Sequence, residues 1–193
     1  MLKMSFPQRG FNLIEVMVVI TVIGVLLSLG APSLAEWLQN SQIRAASEAV
    51  VNGLQVARAE AIQRNLPVKV ALVPPYTGWF ICESSVIPCD ETTPAGQLIQ
   101  SRAYQEGSSN ARVALTPGGT FMVTFVPLGN VASKNIDASL PITQIDVTNP
   151  GAGACAADSG PMRCLRVIVS AGGSVRMCDP TPTVVAPDPR ACP

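Results

Sequence analysis

Between Phe11 and Ala31 the chain reads FNLIEVMVVITVIGVLLSLGA, 21 residues with a single charge, Glu15. As a helix rising about 1.5 Å per residue this stretch is about 30 Å long, the thickness of a bilayer core. It is apolar on every side, so no single face can be turned to a core while the other meets water. Such a segment has to be covered by lipid or by other copies of itself. Glu15 sharpens the constraint, because an acidic residue at mid-bilayer costs about 2.5–3.5 kcal/mol on insertion scales. In front of the run lie ten residues, Met1 to Gly10, with two basic side chains, Lys3 and Arg9.

This arrangement resembles the leader and first helix of type IV prepilins. The matching residues are Gly10, Phe11, Asn12, Leu13, Ile14 and Glu15, followed by the unbroken apolar stretch. The resemblance implies cleavage by a prepilin peptidase between Gly10 and Phe11, methylation of the new N-terminus at Phe11, and an assembly role for Glu15. The physics agrees with that role. A carboxylate in the first turn is favoured by the helix dipole. In a filament Glu15 of one subunit can also pair with the N-terminal ammonium of its neighbour, and a buried charge left without its partner is the strongly destabilising case. Two other readings of the N-terminus stand beside this one. A secretory signal could be cut at Ser33-Leu34-Ala35, although its apolar core would exceed the usual length of about 7–15 residues. A plain membrane anchor gives Glu15 no role.

Lys+Arg and Asp+Glu number 13 each, and loss of Lys3 and Arg9 with the leader leaves a small acidic excess, so no global positive charge recruits nucleic acid. The absence of histidine removes Ser-His-Asp and Cys-His catalysis and every His-containing metal site. Six cysteines, Cys82, Cys89, Cys155, Cys164, Cys178 and Cys192, all lie beyond the apolar run. An even count in an exported domain implies disulfides, of which six cysteines allow 15 pairings. Proximity favours Cys82–Cys89, Cys155–Cys164 and Cys178–Cys192. A four-thiolate zinc site is the rival, but the chain has no C-x-x-C. The expectation is therefore no metal and no cofactor.

Pro32 removes a helical hydrogen bond and bends the axis. Beyond it Leu34, Leu38, Ala45, Ala49, Leu54, Ala57, Ala61 and Ile62 recur mostly at three- and four-residue steps. Arg44/Glu48 and Glu60/Arg64 are i,i+4 pairs, and Asn65-Leu66-Pro67 stops the pattern. From Pro67 onward valines alternate with other residues between Gly/Pro/Asn/Ser clusters. Strands are expected at Val68–Val73, Gly78–Cys82, Leu98–Tyr104, Arg112–Leu115, Thr120–Val126, Ile142–Val147, Arg163–Val169 and Ser174–Cys178. Thr116-Pro117-Gly118-Gly119 and Ala171-Gly172-Gly173 read as hairpin turns. The expected class is α+β: a leader at 1–10, a long helix over 11–64 with a transmembrane segment at 11–31, and a disulfide-stapled, mostly antiparallel β domain over 65–193.

Further along, Leu54-x-x-Ala57-Arg58-x-Glu60-Ala61-Ile62-x-Arg64-Asn65, the Gly78-Trp79 pair, the Thr120–Asn130 region and the closing Arg163-to-Pro180 pattern resemble the GspH/FimT group of minor pilins and pseudopilins. The resemblance implies a structural or priming subunit at or near a pilus tip. Its partners would be the bacterial inner membrane, prepilin peptidase, other minor pilins and a major pilin. The β domain would face the periplasm and then the outside. The alternative within the group is a minor pseudopilin of a type II secretion system, partnered by other pseudopilins. A second alternative is DNA binding during natural transformation, which the resemblance ties to a Gly-Arg-x-Arg motif. Here the aligned residues are Gly173-Ser174-Val175-Arg176, so the first arginine is missing. Arg163, Arg166 and Arg176 would supply three phosphate contacts, enough for weak, salt-sensitive binding. No aromatic residue follows Phe125 to stack on bases. The structural role is therefore the leading expectation. Asp137 and Asp146 stand in no acid/base spacing, and no glycine-rich loop opens a helix after a strand, so the chain is not expected to be an enzyme.

Overall fold

A computed structural model describes residues 12–94 and 96–193, with backbone only at 29–32. Gly10 and Phe11, the expected cleavage and methylation site, lie outside the described residues. The chain divides into two compact units, Met1–Trp37 and Leu38–Pro193. Helical hydrogen bonding defines α1, Leu13–Arg64, which runs through Pro32. Glu15 sits in its first turn, where its N–H donates to the Asn12 carbonyl at 3.0 Å. In the first unit the apolar side chains from Leu13 to Leu27 are exposed. No single helix among the described residues is long and apolar enough to cross a membrane. Leu13–Ser28 and Ser33–Arg64, on either side of 29–32, meet the requirement together on length and composition.

The second unit begins within the helix. From Leu38 on, α1 turns amphipathic and buries Ile43, Ala46, Val50, Leu54, Ala57 and Ala61, spaced by three or four residues. Leu54, Ala57 and Ala61 are the stripe expected from sequence; the rest of that stripe is corrected. Leu34, Leu38 and Ile62 are exposed, and Ala45 and Ala49 only half-buried. Before Leu54 helical geometry selects the adjacent row, and Ile43 and Val50 carry its bulk. Asn65 ends the helix with a left-handed backbone (φ 52°), a conformation asparagine tolerates at a C-terminal stop.

Eight strands follow: β1 Val68–Leu72, β2 Trp79–Glu83, β3 Leu98–Arg102, β4 Arg112–Thr116, β5 Met122–Phe125, β6 Gln144–Thr148, β7 Leu165–Val169 and β8 Val175–Cys178. They form two four-stranded sheets, in order β3-β2-β1-β5 and β4-β6-β7-β8. Every strand pair is antiparallel. One hydrophobic cluster joins the buried helical stripe to both sheets, through Val70, Trp79, Val123 and Phe125 on one side and Ile145, Val147 and Val167 on the other.

The two glycine turns have different fates. Ala171-Gly172-Gly173 closes the β7–β8 hairpin, with Gly173 at φ 78° and its N–H on the Ser170 carbonyl at 2.8 Å. Thr116-Pro117-Gly118-Gly119 does not make a hairpin: β4 pairs with β6, and β5 pairs with β1 in the other sheet. The same turn chemistry serves a chain that crosses between sheets. Arg163 is corrected too, since β7 starts only at Leu165.

Candidate assembly and nucleic-acid surfaces

The cysteines form Cys82–Cys89, Cys155–Cys164 and Cys178–Cys192, and none is free. Each bridge pins a loop to a strand or a strand-like segment. The first holds the loop after β2 around Lys69 of β1, whose side chain is 2% exposed. Its ammonium donates to the carbonyls of Ser84 (3.2 Å) and Val86. Burial pulls the Lys69 pKa below the ordinary value, and the field of Asp137 partly opposes this. The third bridge ties the proline-rich tail to β8. Just past the strand, Asp179 also bridges to Ala191 of the tail.

The helix is fastened to the sheets at three points along its second half. Trp79 of β2 packs against Gly53, where an added Cβ would come within 2.7 Å of the indole, and donates its N–H to the Ala49 carbonyl at 3.2 Å. Arg58 donates from Nε to the carbonyl of Gly129, at 2.8 Å, in the turn after β5. Gly173 of the β7–β8 hairpin lies against that same carbonyl, and a Cβ there would overlap it. A single guanidinium thus meets the place where loops from both sheets converge. Arg64 pairs with Glu60 (2.6 Å) and reaches Glu83 of β2 (3.7 Å), so these charges tie helix to sheet. Nothing in the sequence motif separated Arg58 from its neighbours; the signal was the pair of glycines, Gly129 and Gly173, that leave room for it.

The three arginines considered for DNA do not form a free cationic surface. Arg166 of β7 donates to the carboxylate of Asp146 of β6 at 2.6 Å. Their strands pair with Asp146 directly opposite Arg166, which no linear reading of the acid-free 159–178 segment reveals. Arg176 of β8 lies near Arg166, across from Ile168, and donates to the Ala191 carbonyl of the tail at 2.8 Å. Arg163 lies off the strands, and its backbone N–H bonds to Asn40 of α1 at 2.7 Å. Of the three, only Arg163 has a side chain with no partner among the described residues. Glu15 and the apolar side chains around it remain exposed. No group of three or more metal-ligating side chains occurs among the described residues.

Comparison with known proteins adds to this geometry. The family model described as type II transport protein GspH matches residues 46–173, and that of the prokaryotic N-terminal methylation motif matches residues 6–31. A type IV major alpha-pilin from Moraxella bovis is 29% identical over 154 residues, 78% of this chain and 86% of that protein. Among solved structures, the type IV minor pilin FimU of Pseudomonas aeruginosa superposes with a TM-score of 0.49 at 14% identity, covering 72% of this chain and 89% of that one. The minor pseudopilin EpsH of the Vibrio cholerae type 2 secretion system gives 0.49 at 12% identity, over 72% and 98%.

Proposed function

This chain belongs to the GspH family, and we propose that within it the protein is a minor type IV pilin, a structural or priming subunit at or near the pilus tip. Membership makes it a subunit of the pilin and pseudopilin kind. Its methylation motif marks a membrane-anchored pilin that is processed by a prepilin peptidase and assembled with other pilins.

The finer reading runs as follows. Prepilin peptidase cuts between Gly10 and Phe11 and the new Phe11 amine is methylated. The precursor crosses the bacterial inner membrane once, through 11–31, with the β unit in the periplasm and later outside the cell. Glu15 pairs with a neighbour's N-terminal ammonium during assembly. The partners are other minor pilins and the major pilin. The subunit carries out no catalysis; its chemistry is packing. The single observation that carries this reading is the succession of a methylation motif over 6–31 and a GspH match over 46–173 in one chain. A three-disulfide β unit suits the outside of a filament.

The test is intact mass of the protein recovered from membranes and from sheared pili. The expected species starts at N-methyl-Phe11, is six hydrogens lighter than its reduced form, two for each of three disulfides, and co-purifies with pili. A chain beginning near Glu36 would instead identify a secretory cut. Co-purification with a secretion complex and none with pili would assign the pseudopilin role.

A further inference from the structure

At one end of the second unit, Gln39 of α1, Asn110 and Arg112 at the start of β4, and Asn149, Pro150 and Gly151 after β6 line an open cavity of about 280 Å³. That is near the lower end of small-ligand pockets, about 300–1,000 Å³, and suits one sugar-sized ring. Three features give it chemical character. First, Arg112 has no carboxylate partner among the described residues, and no acid lines the cavity. Its guanidinium rests over the Tyr76 ring (4.7 Å to the centroid), which in turn stacks on Tyr104 (4.3 Å). Only Nη1 is bonded, to the carbonyls of Ser109 and Ala111 at 2.8 and 2.9 Å, so Nε and Nη2 keep their donors. Second, Asn149 is 1% exposed, yet only half satisfied. Its Nδ2 donates to Gln39 Oε1 at 2.5 Å, which also receives Asn110 Nδ2 at 3.4 Å. Its Oδ1 has no partner among the described residues and faces Gly151, in the cavity wall, where an added Cβ would lie 3.7 Å away. Third, no aromatic side chain lines the cavity.

We propose that this cavity is a binding subsite for an anionic sugar unit, a carboxylate carried on a hydroxylated ring. The free donors of Arg112 match the carboxylate in the forked geometry that guanidinium favours. The Asn149 oxygen, open to the cavity, can accept from a ring hydroxyl, which a bare anion does not supply. A nucleobase fits less well, because the cavity walls hold no stacking face.

The test uses the full chain in detergent micelles with D-glucuronate as the probe, followed by saturation-transfer NMR and calorimetry. Glucose, acetate and inorganic phosphate serve as comparison ligands. Glucuronate is expected to bind with Kd of about 1 mM, and each comparison ligand at least about tenfold more weakly, a difference of about 1.4 kcal/mol. Arg112→Gln should abolish the preference for the acid over glucose. The near-isosteric Gln39→Glu, which keeps the acceptor for Asn149, should weaken glucuronate but not glucose, and it serves if the arginine variant is unfolded by circular dichroism. The proposal is overturned by absence of glucuronate binding to the wild type, by phosphate or acetate binding equally well, or by unchanged affinity in a folded variant.

Discussion

The two halves of α1 share a backbone and almost nothing else. From Leu13 to Leu27 the helix is apolar on all sides, and its side chains are exposed in the isolated chain. From Leu38 to Arg64 it is amphipathic and buries one row, Ile43 through Ala61, under two sheets. The second half satisfies its apolar surface within the molecule, and the first half leaves that to lipid or neighbouring subunits. A helix pattern therefore encodes where the partner is: a stripe asks for a domain, and a full girdle asks for a membrane or a bundle.

The strongest way to break this contrast is to remove the one charge in the girdle. Glu15→Ala should leave leader cleavage and the melting of the second unit unchanged but cut incorporation into filaments, by about a hundredfold or more if a buried ammonium is left alone at a cost of about 3–5 kcal/mol. Quantitative blotting of sheared pili against membrane pools reads the effect; normal incorporation would remove the pairing role. Next in size is a matched pair of leucines. Leu54→Ala, in the buried row, should destabilise the second unit by about 2–5 kcal/mol. Leu26→Ala, in the girdle, should not shift its denaturation at all. Equal effects at the two sites would abolish the distinction drawn between the halves.

Third is Arg58→Met, which keeps the stem but removes the donor to Gly129. Loss of a charge-assisted bond to a carbonyl costs about 1.5–3 kcal/mol. Because loops of both sheets meet at that carbonyl, hydrogen exchange should quicken in both the 126–131 turn and the β7–β8 hairpin. Quickening in one alone would mean that Arg58 does not join them.

Much of this was readable in the residues, and the reasons for the rest are physical. Short apolar or β-branched runs between turn residues mark the strands, valine-bearing in β1 and in β4 to β8 and carried by Trp79, Ile81, Leu98 and Ile99 in β2 and β3. The sheet partners were less legible. Thr116-Pro117-Gly118-Gly119 has the composition of a hairpin turn, but composition fixes only the local bend, and the hydrophobic faces of β4 and β5 decide which sheet each joins. The pairing of Arg166 was hidden for a related reason. The acid opposite Arg166 is Asp146, 20 residues upstream, and only the β6–β7 register brings it there. The helical stripe was legible at Leu54, Ala57 and Ala61 but lay one row off before them, where Ala46 and Val50 are buried in place of Ala45 and Ala49, and Leu34, Leu38 and Ile62 are apolar without being covered. Arg112, Gln39 and Asn149 come from three distant segments, so no linear motif gathers them.

The last contrast is between two charges in apolar surroundings, Glu15 and Lys69. On the proposed assembly role Glu15 takes its counter-charge from a neighbouring subunit, whereas Lys69 is served by two carbonyls of its own chain in the Cys82–Cys89 loop. Carbonyl dipoles replace water only in part, and burial accordingly holds the Lys69 pKa below its ordinary 10.5. The sign of the pH effect follows. Between the folded pKa and 10.5 the unfolded chain binds more protons than the folded one, so stability rises with pH across that window. Below the folded pKa both states are protonated, and the cost of burying the ammonium is constant and fully present. Subtracting the denaturation free energy of Lys69→Met from that of the wild type at each pH isolates this term, since every other group is common to both proteins. The difference should be flat near neutrality and climb in favour of the wild type as pH approaches 10.5. A difference that stays flat throughout would mean that the Lys69 ammonium is as well solvated by the Ser84 and Val86 carbonyls as by water, and that an internal partner can neutralise burial completely.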